Sequence, residues 1–344
     1  MTKKETLLGK TLDELKEIAV SLGMPAYSAG QIAKRLYGKR AATIDEMTEI
    51  SKQNRELLNE KYETGRRGPV EQQISSDGTA KYLFPVSDGQ FVESVFIPDR
   101  DRATLCVSSQ IGCKMNCLFC MTGKQGFSGQ LTAAEILNQA LSVPESERLS
   151  NFVFMGMGEP LDNYDNLLKV LEIMTAPYGM ALSPKRITVS TVGLLRPLKR
   201  FLDESRCHLA ISLHSPFHDE RLSLMPAEKA FPAAGIVETL RTCDFSGQRR
   251  LSFEYIMFAG LNDSAAHALA LAKLLKGMEC RVNLIRYHSI GGVNLQGSAP
   301  EKMLTFRDLL NSKGVIATIR ASRGEDILAA CGMLSTEKKA EIKK

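Results

Sequence analysis

The residues of this chain best suited to chemistry are cysteines. In Cys106-Val-Ser-Ser-Gln-Ile-Gly-Cys113-Lys-Met-Asn-Cys117-Leu-Phe-Cys120, the last three follow a C-x3-C-x2-C spacing. Thiolates this close along the chain let one loop wrap a single centre. A structural zinc site closes its shell with four ligands. This loop supplies three, and no histidine stands near it in sequence. A 4Fe-4S cluster held by Cys113, Cys117 and Cys120 leaves one iron open to a further ligand, which points to catalysis rather than scaffolding. Zinc completed by a remote residue is the alternative that spacing leaves standing.

Other reactive side chains are less specific when taken one at a time. Cys106 and Cys331 read in isolation as buried core thiols, and Cys207, Cys243 and Cys280 lie in apolar or strand-like runs as small buried hydrophobes. Glu93, in Val92-Glu-Ser-Val95, alternates with apolar neighbours and by that pattern faces solvent. Glu159, in Met155-Gly-Met-Gly158-Glu159-Pro160, is a carboxylate at a strand end, chemically suited to an ammonium group.

The elements that must position these groups fall into three stretches. Thr11-Leu-Asp-Glu14 is a capping-box signature, followed by Leu12, Leu15, Ile18 and Leu22 at helical spacing, with Gly23 as a stop. A second helix carries Ile32, Leu36 and Tyr37. Thr43-Ile-Asp-Glu46 is another capping box, and Ser51 caps a helix containing Leu57 and Leu58. The helical unit ends near Thr64, and Gly65–Pro69 is its natural linker. Val70–Ile74, Ala80–Val86 and Phe91–Ile97 then read as a three-stranded meander, turned at Asp77-Gly78 and Asp88-Gly89. Asp-Gly favours the tight type I′ turn, whose two central positions need φ > 0.

From about Ala103 strands and helices alternate. The strands are Ala103–Ser108, Asn151–Met155, Arg186–Ser190, His208–Leu213, Leu251–Phe258, Arg281–Tyr287 and Val315–Ile319. The helices include Thr132–Leu141, Asn163–Thr175, Ser264–Lys276 and Glu301–Ser312. Repeated β–α units imply a parallel sheet covered by helices, with functional groups gathered at the C-terminal ends of the strands.

Composition bounds the function. The 344 residues suit a large catalytic domain with a small accessory one, and 44% hydrophobic with 24% charged residues excludes a disordered chain. Met1 to Lys10 has no apolar core of a secretory signal. No apolar run approaches the ~18 residues of a spanning helix, so a cytoplasmic protein with reduced thiols is expected. The net charge is +5, and 11 Lys/Arg against 6 Asp/Glu from Arg281 onward account for all of it. That is compatible with a polyanionic substrate but is also the look of a solvated surface. Lys338–Lys344 reads as a frayed basic tail.

Taken together and in order, these motifs resemble the radical S-adenosylmethionine superfamily, and more narrowly its RlmN/Cfr family of RNA methyltransferases. The resemblance spans essentially the whole chain. It rests on the cysteine loop with Phe119 before its third cysteine, Gly158-Glu159-Pro160, Ser190, and Ile211-Ser-Leu-His214. It rests also on the contexts of Cys106 and Cys331, Val92-Glu93-Ser-Val95, and Gln125-Gly-Phe127. It implies an α/β fold, a partial (β/α)6-type barrel over 99-334, joined by a linker and meander (65-98) to a helical RNA-engaging domain (1-64), with a tail at 335-344. It implies one 4Fe-4S cluster and two S-adenosylmethionine molecules per turnover, with Gly158, Glu159, Ser190, Ser212, Leu213, His214 and His288 around the cofactor.

The resemblance also implies roles for the remaining cysteines. Cys331 takes a methyl group, a 5′-deoxyadenosyl radical activates it for addition to adenine, and Cys106 then attacks the Cys331 sulfur, releasing product as a disulfide. The two thiols should therefore lie within disulfide reach in the active conformation. Glu93 aligns with a candidate proton acceptor. The implied product is C2-methylated adenosine, at position 2503 of 23S ribosomal RNA and position 37 of some transfer RNAs. C8 methylation of the same ribosomal adenosine, or a zinc-stabilised RNA-binding module without activity, are the competing readings. A flavodoxin- or ferredoxin-type electron donor and a monomeric state are expected. Lys34, Arg35, Lys39 and Arg40 form a basic patch in the accessory domain. One departure stands out, because Asn283-Leu-Ile-Arg286-Tyr287-His288 replaces the family's Asn-Leu-Ile-Pro, aromatic, Asn.

Overall fold

The computed structural model describes residues 4–336, so the expected basic tail from Lys338 lies outside the described residues. Two-residue strands β1 (Glu5–Thr6) and β2 (Tyr62–Glu63) pair in parallel and close the N-terminal unit around α1 (Leu12–Ser21), α2 (Ser28–Ala33) and α3 (Lys52–Lys61). Such short strands carry no legible periodicity. At α1 the capping box forms as expected, the Thr11 and Glu14 side chains each accepting from the other's backbone amide, and Leu15, Ile18 and Ala19 turn inward. Helix α2 continues as a π-helical turn, Lys34–Gly38, which brings Leu36 and Tyr37 into the core. Thr43 makes no cap. Its hydroxyl donates to the Glu46 carboxylate at 3.1 Å ahead of a single 3-10 turn, Ile44–Glu46.

Strands β3 (Glu71–Ile74), β4 (Ala80–Pro85) and β5 (Phe91–Asp99) form the antiparallel meander. Asp88 and Gly89 both adopt positive φ, as a type I′ turn requires, but at Asp77-Gly78 only the glycine does. The Asp77 carboxylate instead accepts from the amides of Thr79 and Gly324, so the side chain makes the turn. The meander is no separate connector, because β5 pairs antiparallel with β6 (Arg102–Cys106) and merges with the larger sheet.

After β6 comes a hairpin, β7 (Gln110–Gly112) and β8 (Phe127–Gln130), enclosing the cysteine loop and the short α4 (Met121–Lys124). Then follow α5 (Ala133–Ser142), β9 (Asn151–Phe154), α6 (Tyr164–Thr175), β10 (Ile187–Thr191), α7 (Leu195–Glu204), β11 (His208–Ser212), α8 (His218–Leu224) and α9 (Ala233–Arg241). The alternation ends with β12 (Leu251–Met257), α10 (Ala265–Leu274), β13 (Arg281–Arg286), α11 (Pro300–Ser312) and β14 (Ile316–Ile319). All seven expected strands form, parallel from β6 through β14, in one ten-stranded sheet ordered β14-β13-β12-β11-β10-β9-β6-β5-β4-β3. The end strands β14 and β3 do not meet, so the sheet is an open, partial barrel.

Period-two alternation decides what each face carries. On β10, Ile187 and Val189 are buried in the apolar core while Thr188 and Ser190 line cavities. On β13, Val282 and Leu284 are buried while Asn283 and Ile285 line cavities. The apolar face packs on helices, and the barrel interior mixes polar side chains such as Thr188, Ser190 and Asn283 with apolar ones such as Ile256 and Ile285. Among the described residues no helix is long and apolar enough to cross a membrane.

Candidate active site

The cysteine loop is held from several sides before any cofactor is considered. The Leu118 amide donates to the Leu224 carbonyl at 2.9 Å and the Cys113 amide to the Gly126 carbonyl at 2.9 Å. Asp162, in the loop after β9, accepts from Lys114 at 2.8 Å and Gln110 at 2.7 Å. Cys113, Cys117 and Cys120 then line one cavity, about 790 Å³ counted to its open mouth and within the range of cofactor pockets. Burial raises the Cys117 thiol well above its ordinary value, and the neighbouring Cys120 and Cys113 charges raise it further. Cys113 is pushed up to about 12, chiefly by burial.

Five strands, β9 to β13, complete that cavity. Gly158, at φ 99°, passes so close to Gln110 that an added Cβ would sit 2.5 Å from its side chain; only glycine fits. The next residue, Glu159, is buried and its carboxylate accepts from the Val192 amide at 2.9 Å and the Leu161 amide at 3.1 Å. Burial moves it up to about 7, with those hydrogen bonds and one from Thr191 holding it down. Ser190, Ser212 and His214 line the same wall. His214 Nδ1 accepts from the Ile256 amide at 3.0 Å, which leaves the ring proton on Nε2, and burial lowers its pKa to about 3. Phe119 meets the His214 ring edge-on at 4.8 Å. Leu213 is fully buried, its amide donating to Glu254 and its carbonyl accepting from Arg221, so it positions the strand end rather than opening onto the cavity.

Arg221 was not anticipated. It is completely buried beneath the site, donating to the carbonyls of Val192, Ser212, Leu213 and Phe231 and to the Glu228 carboxylate. It thereby staples the ends of β10 and β11 together. An arginine on α8 and a glutamate seven residues on, Arg221 to Glu228, were the available but unspecific signal.

The segment carrying Cys331 crosses the barrel as a strap. Met121 donates to the Gly332 carbonyl and Thr122 to the Leu334 carbonyl, while Gln125 and Thr336 exchange two hydrogen bonds. On the other side, Asp326 accepts from the Ser75 hydroxyl at 2.6 Å and the Ser76 amide at 3.1 Å. His288 bonds Ser322 at 2.8 Å and Glu325 at 3.0 Å, so it grips the strap and lies outside the cysteine-loop cavity. Arg286 is exposed.

Glu93 does not face solvent. It is buried, ion-paired with the equally buried Lys81 at 3.4 Å, and accepts from the Ser335 amide at 3.1 Å. The strap, through Ser335, covers that face of β5, and Lys81 compensates the charge. Cys243 is only half-buried, donating to the Thr239 carbonyl, whereas Cys207 and Cys280 are buried as expected.

Cys331 is accessible through the cavities it lines but lies deep in the protein, and burial raises its thiol despite Arg320 nearby. Cys106, at the end of β6, is buried and pushed up to about 12 by burial and by the charge of Cys331. The two thiols are thus within electrostatic reach, but no disulfide joins them. All eight cysteines are free.

Among the described residues no three His, Cys, Asp or Glu side chains converge closely enough to hold one metal ion. Three mutually repelling thiols around one pocket, with Glu159 and a neutral His214 beside them, fit an iron–sulfur cluster with a zwitterionic ligand. A positive iron core would offset the repulsion between their thiolates, and the Glu159 carboxylate would meet the ligand's ammonium group.

Comparison with known proteins bears on this arrangement. The family model described as "Radical SAM superfamily" matches residues 107–272, and "Ribosomal RNA large subunit methyltransferase N-terminal domain" matches residues 6–64. "Probable dual-specificity RNA methyltransferase RlmN" of Parabacteroides distasonis is 63% identical, covering 98% of both chains. The protein of the same name from Bacteroides fragilis is 61% identical over 99% of both. The crystal structure of a radical SAM methyltransferase from Sphaerobacter thermophilus superposes with a TM-score of 0.92 at 38% identity, covering 97% of this chain and 100% of that one.

Proposed function

The chain belongs to the RlmN family of radical SAM RNA methyltransferases, and from that premise we propose that it methylates C2 of adenosine through a methyl group carried on Cys331. The substrates in this reading are adenosine 2503 of 23S ribosomal RNA and adenosine 37 of certain transfer RNAs. One observation carries it. Cys331 lines the cysteine-loop cavity on one side and, on the other, a second cavity with Arg320 and His288. A thiol at that junction faces a cofactor pocket and a substrate pocket at once.

Cys113, Cys117 and Cys120 would hold the 4Fe-4S cluster, and Glu159, Ser190, Ser212 and His214 would surround S-adenosylmethionine. When bound, the cluster supplies the electron that splits the cofactor into a radical able to activate a carbon that is no nucleophile. The chain's own residues do the rest. Glu159 is preorganised by the Val192 and Leu161 amides to accept the ligand's ammonium protons. Cys331 would carry the methyl carbon. Once Cys106 gives up its proton, its sulfur attacks the Cys331 sulfur, the S–S bond forming as the Cys331 S–C bond breaks, and the released carbon takes up a proton to complete the methyl group on the base. Glu93 stands on a neighbouring cavity with Lys81 and Ser335. Its action as proton acceptor would need the strap to shift, which also frees its carboxylate from the Ser335 amide. A small flavodoxin- or ferredoxin-type protein is the electron donor in this scheme.

The test is anaerobic turnover with methyl-deuterated S-adenosylmethionine and ribosomal or transfer RNA, read by nucleoside mass spectrometry. Labelled 2-methyladenosine is expected, lost in Cys331→Ala with iron content unchanged. Labelled 8-methyladenosine would overturn the C2 assignment, and zinc in place of iron would overturn the whole reading.

A further inference from the structure

We propose that the opposite mouth of the barrel, ringed by Arg102, Arg250 and Arg281, is a phosphate-binding site that grips the RNA backbone beside the nucleotide entering the barrel. The proposal rests on RNA being the substrate. Arg102 opens β6, Arg250 immediately precedes β12 and Arg281 opens β13. Since these strands are parallel, all three arginines lie at the end of the sheet away from the cysteine loop. They line one cavity of about 950 Å³, counted to its open mouth.

The charge there is poorly balanced. Arg102 pairs with Asp99 at 2.9 Å, but among the described residues no carboxylate lies within ion-pair distance of Arg250 or Arg281. Partial burial, together with the charges of Arg281 and Arg102, holds Arg250 below the usual guanidinium value. Arg250 and Arg281, which have no ion-paired carboxylate, repel each other and Arg102, and a bound anion reverses that cost.

The walls lead inward. Thr188, Ser252, Asn283 and Thr318 line the cavity above the arginines, and Asn283 donates to Glu254 at 2.7 Å. Arg102, Val153 and Arg320 are shared with the second cavity that holds Cys331, while Met155 and Glu254 are shared with the cysteine-loop cavity. Glu254 Oε2 is buried without a hydrogen bond, its nearest cation being Arg320 at 3.5 Å. A polar passage therefore runs from the arginine mouth to the Cys331 thiol. A base can move along it once unstacked, but its charged phosphates stay at the rim, where the arginines are.

The test uses the reconstituted holoenzyme and an RNA hairpin with an unpaired adenosine, titrated at several salt concentrations. Each lost phosphate contact lowers the slope of log affinity against log salt by roughly 0.7 for single strands. The Arg250→Gln/Arg281→Gln pair should lose about 1.4 of slope and bind at least tenfold more weakly. Arg250→Lys/Arg281→Lys should keep the slope, and S-adenosylmethionine cleavage without RNA should be unchanged in both. Tripolyphosphate should displace RNA from the wild type and bind the glutamine pair more weakly. An unchanged slope in the glutamine pair would sink the arginine site while leaving the RNA reading intact; no RNA binding by the wild type would sink the RNA reading itself. Tripolyphosphate bound at the arginines without displacing RNA overturns the assignment to RNA, making this a free-anion site.

Discussion

The two mouths of the barrel are built on opposite electrostatic principles. At the C-terminal ends of the strands, reactive groups are buried and kept neutral or held by backbone: protonated thiols, a neutral His214, and Glu159 tied to two amides. At the N-terminal ends, arginines stand where solvent reaches them and two lack acidic partners. The first arrangement suits a cofactor that brings its own charge to preset positions. The second suits a flexible polyanion recognised by net charge. Chemistry and grip are thereby separated, and each can be disturbed alone.

The largest expected effect is at the chemical mouth. Cys117→Ser should abolish iron incorporation, visible absorption and S-adenosylmethionine cleavage, while RNA affinity stays within about twofold. A parallel loss of RNA binding would break the separation. Next in size, Arg221→Met leaves Glu228 buried without its cation and frees three strand-end carbonyls, a loss of roughly 3–5 kcal/mol to be read by denaturant unfolding. A loss below about 1 kcal/mol would mean that the staple contributes little.

A smaller effect is expected at the strap between the mouths. Asp326→Asn weakens the link to Ser75 and the Ser76 amide, so amide exchange across residues 324–336 should quicken and methylation fall severalfold with cofactor cleavage retained. Unchanged exchange would assign the strap's order to its contacts with α4 alone. The subtlest measurement reports the field at the arginine mouth. Burial, then the Arg250 and Arg249 charges, lowers the His208 pKa to about 4. Because the folded value lies below the ordinary 6.5, the native state binds fewer protons, and this group lowers stability progressively as pH falls from about 6.5 toward 4. NMR titration should find His208 neutral at pH 5 and its pKa raised in Arg250→Gln; an unmoved value would argue against a concentrated positive field.

Much of this molecule was readable from local spacing. The C-x3-C-x2-C loop, the box at Thr11, and the order of β–α units follow from covalent proximity and hydrophobic periodicity. The pattern around Glu93 was just as clear but pointed the wrong way, since alternation says which residues share a face and not what covers it. Asp77 misled for a related reason, its carboxylate being claimed by Gly324 from the far end of the chain.

The sequence by itself, with the family likeness it carries, thus determined the parallel sheet, the cluster loop and the set of reactive side chains. Tertiary structure alone decided which of them meet. Cys331 reaches the cysteine loop across more than two hundred residues, Lys81 neutralises Glu93 across a strand pair, and three arginines converge because their parallel strands begin at one end of the sheet. Those meetings depend on strand order, register and closure, which couple positions through packing and leave no mark in the spacing of any single segment.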